Sequence, residues 1–192
     1  HFRPHPWHGL EVGPDPPEVL NAYIEITPFD LMKYEVDKVS GYLRVDRPQR
    51  SSAQHPTLYG FVPRTYCDER VRRLAPAAKR GDGDPLDVMV LMDAPAHVGC
   101  LIEIRILGAI EAEQIEDGKA ERNDRLLGVA IHSYDHQNLD SIDDVSKTLL
   151  DQVEAFFISY NKQRGKKFKV MSLGGPKKAL KLLKQGMSAF ND

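Results

Sequence analysis

Between residues 20 and 131, apolar and polar positions alternate or run together in short blocks, as strands do. "NAYIEITPF" (21–29) alternates cleanly. "LMKYEVDKVSGYLRVDR" (31–47) predicts two strands around a turn at Ser40–Gly41. The two-residue period puts Lys33, Glu35 and Asp37 on one side of that pleat. "HPTLYGFVPRTYC" (55–67) is strand-like with prolines at its edges, and "DERVRRLAPAAKR" (68–80) predicts a short helix interrupted at Pro76. "PLDVMVLMD" (85–93) and "CLIEIRILGAIEAEQI" (100–115) are apolar enough to be buried strands. "EDGK" (116–119) supplies an Asp-Gly hairpin turn, with "RLLGVAI" (125–131) as its return strand.

After residue 146 the period changes. Apolar residues at 149, 150, 153, 156, 157 and 160 mark one face of a helix, with Ser146 as its N-cap. "GPKKALKLLKQGMSAF" (175–190) predicts a final helix with Pro176 in its first turn. Residues 1–18 are rich in Pro, Gly and His and predict an extended arm. Short strands followed by helices predict one α+β domain over residues 1–192: a small twisted β-barrel with helices packed against it.

Composition narrows the function classes. With 41% hydrophobic and 28% charged residues, the chain can bury a core and is not a disordered segment. A net charge of −2 gives no pull toward nucleic acid or anionic lipid. The basic runs "RRLAPAAKR" and "KQRGKKFK" lie in separate segments with only Phe168 among them, so no nucleic-acid partner is expected. No run of about 18–20 apolar residues predicts a membrane span. Cys67 and Cys100 fit neither a disulfide framework nor a zinc pattern, and predict reduced thiols in the cytoplasm.

The candidate chemistry is concentrated in "DGDPLD" (82–87), where Asp82, Asp84 and Asp87 crowd like charges. A solvated acidic turn would explain Asp and Gly there. A calcium loop would not: with Asp82 at its first position, Asp87 falls where glycine is required. Oxygen-only ligands beside phosphate suit Mg²⁺, and two such ions can clamp a phosphoryl group. Lys33, Arg47, Tyr59, Arg125 and Tyr160 supply the cations and phenols such a site needs.

The ordered set "IEI", "KYEVDK", "SGYL", "VDR", "YGF", "GDGDPLDV" and "FF" before a tyrosine resembles the soluble family I inorganic pyrophosphatases, over roughly residues 20–170. The resemblance implies a five-stranded OB-like barrel with the site at its mouth. It also implies hydrolysis of diphosphate by Mg²⁺-activated water, with Mn²⁺ or Co²⁺ as substitutes, in a homo-oligomer. Carried over position by position, Asp82, Asp84, Asp87 and Glu35 match metal ligands, and Asp84 matches the general base. Lys33, Arg47 and Tyr160 match phosphate ligands, Tyr59 a tyrosine beside the nucleophile, and Glu25 a supporting acid.

Several positions depart from the pattern. Where a metal aspartate and a phosphate lysine are expected, the chain has Asn123 and Arg125. Asn123 keeps a carbonyl oxygen for a metal and Arg125 keeps a charge for phosphate. Asp124 would face the opposite side of a strand. A second hairpin aspartate is replaced by Gln114, with Glu113, Glu116 or Asp117 as substitutes in a shifted register. His55 stands for a tyrosine and Asn161 for a lysine. Three readings follow: a working diphosphatase, a hydrolase of another phosphoanhydride or phosphoester, or a non-catalytic binder of phosphate and metal.

Overall fold

The structure, a computed structural model, describes residues 3–49, 54–68 and 83–191. The helix expected over 68–80 and the candidate ligand Asp82 lie outside these residues, apart from Asp68.

Strands β1 (Leu20–Ile26), β4 (Leu58–Phe61), β5 (Asp87–Leu91), β8 (Arg125–Ala130) and β6 (Leu101–Glu116) pair in that order. β6 pairs back with β1, closing a five-stranded ring. Closure removes the exposed edges an open sheet would carry. A separate ribbon of β2 (Met32–Val36) and β3 (Leu43–Pro48) stands beside the ring. β7 (Lys119–Arg122) pairs with the far end of β6, so the hairpin's return arm begins before the expected 125–131 segment, which follows as β8. Asp117 (φ 49°) and Gly118 (φ 73°) make its turn, both left-handed as a two-residue hairpin loop requires.

Helix α1 (Lys147–Lys162) starts where predicted, with Ser146 Oγ accepting from Leu149 N at 3.2 Å. Helix α2 (Pro176–Asn191) ends the described chain. Between them β9 (Lys167–Gly174) pairs antiparallel with β6, a strand the sequence pattern did not predict. Lys167–Val170 alternates, but the period breaks at Met171, the extra residue of a bulge, and pairing with the long β6 decides its conformation.

β5 and β8 are nearly all apolar because both of their faces are covered. Val88, Val90 and Leu126 point into the core that includes Leu182 and Leu183 of α2. Met89, Leu127 and Val129 point the other way, into the core that includes Val153, Phe156 and Phe157 of α1. Each helix therefore buries its stripe against a different layer of the same strands.

The first residues do not run extended throughout: a turn over residues 6–9 sends Trp7 into the body. Its indole N–H donates to Thr65 O at 2.8 Å. Cys67 and Cys100 form no disulfide. Among the described residues no helix is long and apolar enough to cross a membrane.

Candidate active site

A cleft of about 410 Å³ opens between the ribbon, the mouth of the ring and the end of α1. Of the predicted site residues, Glu25, Lys33, Glu35, Arg47, Tyr59, Asp84, Asp87, Asn123, Arg125 and Tyr160 all line it.

Two bulges aim the first wall. In β1, Ile24 faces Gly60 and Ile26 faces Tyr59, so Glu25 is the extra residue and turns into the cleft. Gly60 permits this crossing, since a Cβ there would stand 1.8 Å from Tyr23 O. Glu25 Oε1 accepts from Val36 N at 2.7 Å, and burial lifts its carboxyl to about 8. In the ribbon, Lys33 faces Arg47 and Tyr34 faces Val45, leaving Asp46 as the extra residue. Asp46 and Arg47 consequently line the cleft together, although they are neighbours in the chain. Strict alternation would have sent Asp46 outward, which is why it is absent from the sequence-based set. Asp37, expected beside Lys33 and Glu35, lies beyond the end of β2 and instead accepts from Ser40 N at 2.7 Å in the turn.

The charges of this wall are mutually paired. Lys33 Nζ lies 2.8 Å from Glu35 and 3.0 Å from Asp46. Burial alone would lower the Lys33 ammonium, but Glu35, Tyr160 and Asp46 together outweigh it and hold it above its ordinary value. Arg47 donates to Asp46 and to Tyr160 Oη. Lys38 donates to Asp84, and Tyr59 Oη donates to Asp87. Burial pushes the Asp87 carboxyl up, against the opposing pull of Arg125 and Tyr59.

The second wall comes from the β6–β7 hairpin, β8 and α1. Glu121, Asn123 and Arg125 line the cleft at alternate positions. Arg122 and Asp124 face the other way and pair with each other in the interior, with Glu111 2.9 Å from Arg122. Asp124 is thus not available to the cleft, as its register predicted. Gln114 sits opposite Glu121 and lines the cleft with it. Glu116 pairs with Lys166 at 2.8 Å. Glu121, Arg164 and Lys166 are cleft residues that sequence reasoning missed. The spacing of Glu121 two places before Asn123 was the signal that could have found it.

Several polar atoms here are buried without a partner among the described residues. They are Asn123 Oδ1, Arg125 Nε, Asn161 Oδ1 and His55 Nε2. The Arg125 guanidinium lies 3.9 Å from the centre of the Phe157 ring, and Nη1 donates to Asn123 O at 2.7 Å. Asn161 Nδ2 donates to Phe157 O at 2.8 Å, which fixes the orientation of its amide. His55 Nδ1 lies 3.0 Å from Thr57 O. A carbonyl can only accept, so Nδ1 carries the proton and Nε2 is a bare acceptor. Burial lowers the His55 imidazole to about 3, keeping it neutral at ordinary pH.

The described donors that face the cleft fit a hard cation: carboxylates and the orphaned Asn123 carbonyl oxygen, with no sulfur. Among the described residues, however, no three His, Cys, Asp or Glu side chains already converge as a cage. Their carboxylates are engaged by Lys33, Lys38, Arg47 and Tyr59 instead. A cation entering the cleft would favour the ionised forms of Glu25 and Asp87 that burial now opposes.

The comparisons with known proteins decide the family. The profile of the inorganic pyrophosphatases matches residues 22–191. This chain belongs to the inorganic pyrophosphatase family. It is 33% identical to soluble inorganic pyrophosphatase 5 of Arabidopsis thaliana, over 97% of this chain and 78% of that one. It is 34% identical to the inorganic pyrophosphatase of Chlamydia trachomatis serovar L2, over 94% and 90% of the two chains. The crystal structure of the inorganic pyrophosphatase from Thermus thermophilus superposes with a TM-score of 0.81 at 27% identity, covering 98% of this chain and 99% of that one. The Helicobacter pylori enzyme gives 0.78 at 32% identity, over 95% and 99%. The OB-like barrel predicted from the resemblance is the fold observed.

Proposed function

We propose that this member of the family hydrolyses inorganic diphosphate to two phosphates. Mg²⁺ would be held by Asp82, Asp84, Asp87 and Glu35, with Asn123 contributing its carbonyl oxygen. The observation that carries the reading is the gathering of Lys33, Arg47 and Arg125 with Glu35, Asp84 and Asp87 around one cleft. Cations alone would bind an anion, and carboxylates alone a metal. Both together suit a polyanion that arrives with its metal.

Bound Mg²⁺ supplies charge neutralisation and a water acidified toward neutral pH. The protein's own groups do the rest. Asp84 is the general base that takes the proton of the attacking water. Tyr59 donates to Asp87 and fixes its orientation. Lys33, Arg47, Arg125 and Tyr160 hold the phosphate oxygens and offset charge on the leaving group. Arg47 can grip two oxygens at once, which Lys cannot. Glu25 supports the ribbon by accepting from Val36 N. We place the enzyme in the cytoplasm with no nucleic-acid or membrane partner; the net charge of −2 supports the absence of an electrostatic pull toward either polyanion. Subunit number, expected to exceed one, is read by sedimentation.

The test is phosphate release from diphosphate by the purified protein with Mg²⁺, Mn²⁺ or Co²⁺, and with EDTA as control. Release that EDTA abolishes is expected. No release with any metal, from protein shown to be folded, overturns the reading.

A further inference from the structure

The turn that ends α1 brings two basic side chains to the cleft, Arg164 and Lys166. Its backbone is fixed: Arg164 N and Lys166 N both donate to Asn161 O at 3.0 Å. Gly165 between them has φ 75°, the left-handed conformation that ends helices and favours glycine.

The two side chains differ in what engages them. Lys166 is paired with Glu116 at 2.8 Å and only 14% exposed. Among the described residues no ion pair or side-chain hydrogen bond engages Arg164. Its guanidinium instead lies 5.6 Å from the centre of the Tyr160 ring. Arg47 lies 5.8 Å from the same ring and donates to its hydroxyl. One phenol thus gathers two guanidinium groups at the mouth of the cleft. Like charges so placed repel unless an anion joins them. Asp46 is the nearby carboxylate influenced by Arg164, and it already serves Lys33 and Arg47. Asn161, next to Tyr160, adds no charge and spends its Nδ2 on Phe157 O.

We propose that Arg164 is a substrate-binding residue that closes, with Arg47 and Tyr160, on the outer phosphate group of bound diphosphate. The inference rests on the diphosphatase reading of the cleft. The planar fork of Arg164 matches two phosphate oxygens, and the Tyr160 ring holds that fork in place before substrate arrives.

The experiment compares Arg164→Gln with the parent enzyme by steady-state kinetics on magnesium diphosphate and by calorimetric titration with diphosphate. KM and the dissociation constant should each rise about tenfold while kcat stays within about twofold, as for a binding contact made equally in ground and transition states. Arg164→Lys, which keeps charge but loses the fork, should fall between them. Lys162→Gln removes an exposed charge that does not line the cleft, and should leave all three constants unchanged. Unchanged KM and affinity in Arg164→Gln overturns the inference and leaves the diphosphatase reading intact, as does a fall confined to kcat. If the parent enzyme releases no phosphate with any metal, the diphosphatase reading falls, and the diphosphate titration still decides whether Arg164 binds the anion.

Discussion

On the ribbon side of the cleft, Lys33 sits between Glu35 and Asp46, and Lys38 sits against Asp84. On the hairpin and α1 side, Arg125 lies over the Phe157 ring, and the amides of Asn123 and Asn161 carry buried oxygens without partners. The first wall neutralises its charges internally, so a cation and a polyanion can enter by exchanging partners. The second wall is pinned by packing, and at Gln114, Asn123 and Asn161 it brings orientation without charge. Losing a charge on the first wall should therefore stop the chemistry. Changing the second should tune binding or stability.

Three experiments sharpen that contrast. The largest effect is expected from Asp87→Asn on the first wall. Phosphate release should fall by more than about a hundredfold, the scale of losing a group that holds the metal-activated nucleophile. Thermal unfolding checks that the variant is folded, and a rate like the parent's would remove Asp87 from the metal site.

At the boundary between the walls, His55 packs against Tyr59 and Phe156 with ring centres 4.7 and 4.6 Å apart. Its folded pKa, about 3, lies below the unfolded value of 6.5. The unfolded chain therefore takes up a proton that the folded chain refuses, and stability falls as pH drops from about 6.5 toward 3. His55→Phe keeps the ring stacking and removes that proton uptake. The loss of unfolding free energy between pH 7 and pH 4 should shrink by about 2 kcal/mol, allowing for relaxation around the buried ring. Denaturant titrations at the two pH values measure it, and an equal loss in both proteins would show that His55 is protonated in the folded state.

The smallest effect is expected from Asn123→Asp on the second wall. Adding a carboxylate beside the orphaned position should raise Mg²⁺ affinity about two- to fivefold, since one more charge is added to a site that already has several. Calorimetric titration with Mg²⁺ reads this directly, and no change would place Asn123 outside the metal's reach.

The first wall was the more legible one in the sequence. Lys33 and Glu35 are two residues apart, and Asp84 and Asp87 fall in one short acidic run, so pattern and chemistry coincide. Asp46 escaped because a bulge breaks alternation at that point. The second wall was legible as a set of departures, Asn123, Arg125, Asn161 and His55, but not as a physical arrangement. That Arg125 stacks on Phe157 while Asp124 pairs with Arg122 on the reverse face depends on contacts between distant segments. Arg164 was missed for the same reason, since nothing local separates it from an exposed charge, and Glu121 was marked only by its spacing from Asn123.

The sequence by itself determined the elements whose signals are local. The Asp117–Gly118 turn follows from the left-handed backbone those residues tolerate. Helix α1 follows from its apolar stripe and the Ser146 cap. The acidic run carried the expected chemistry. Tertiary structure alone decided the closure of β6 onto β1, the parallel pairing of β5 with β8, and the conversion of "KFKVMSLG" into β9. Backbone hydrogen bonds between strands carry no side-chain code, so their partners are chosen by which pairing buries the apolar faces together. That same choice brought Glu25, Asp46 and Arg164 to one cleft from three distant parts of the chain.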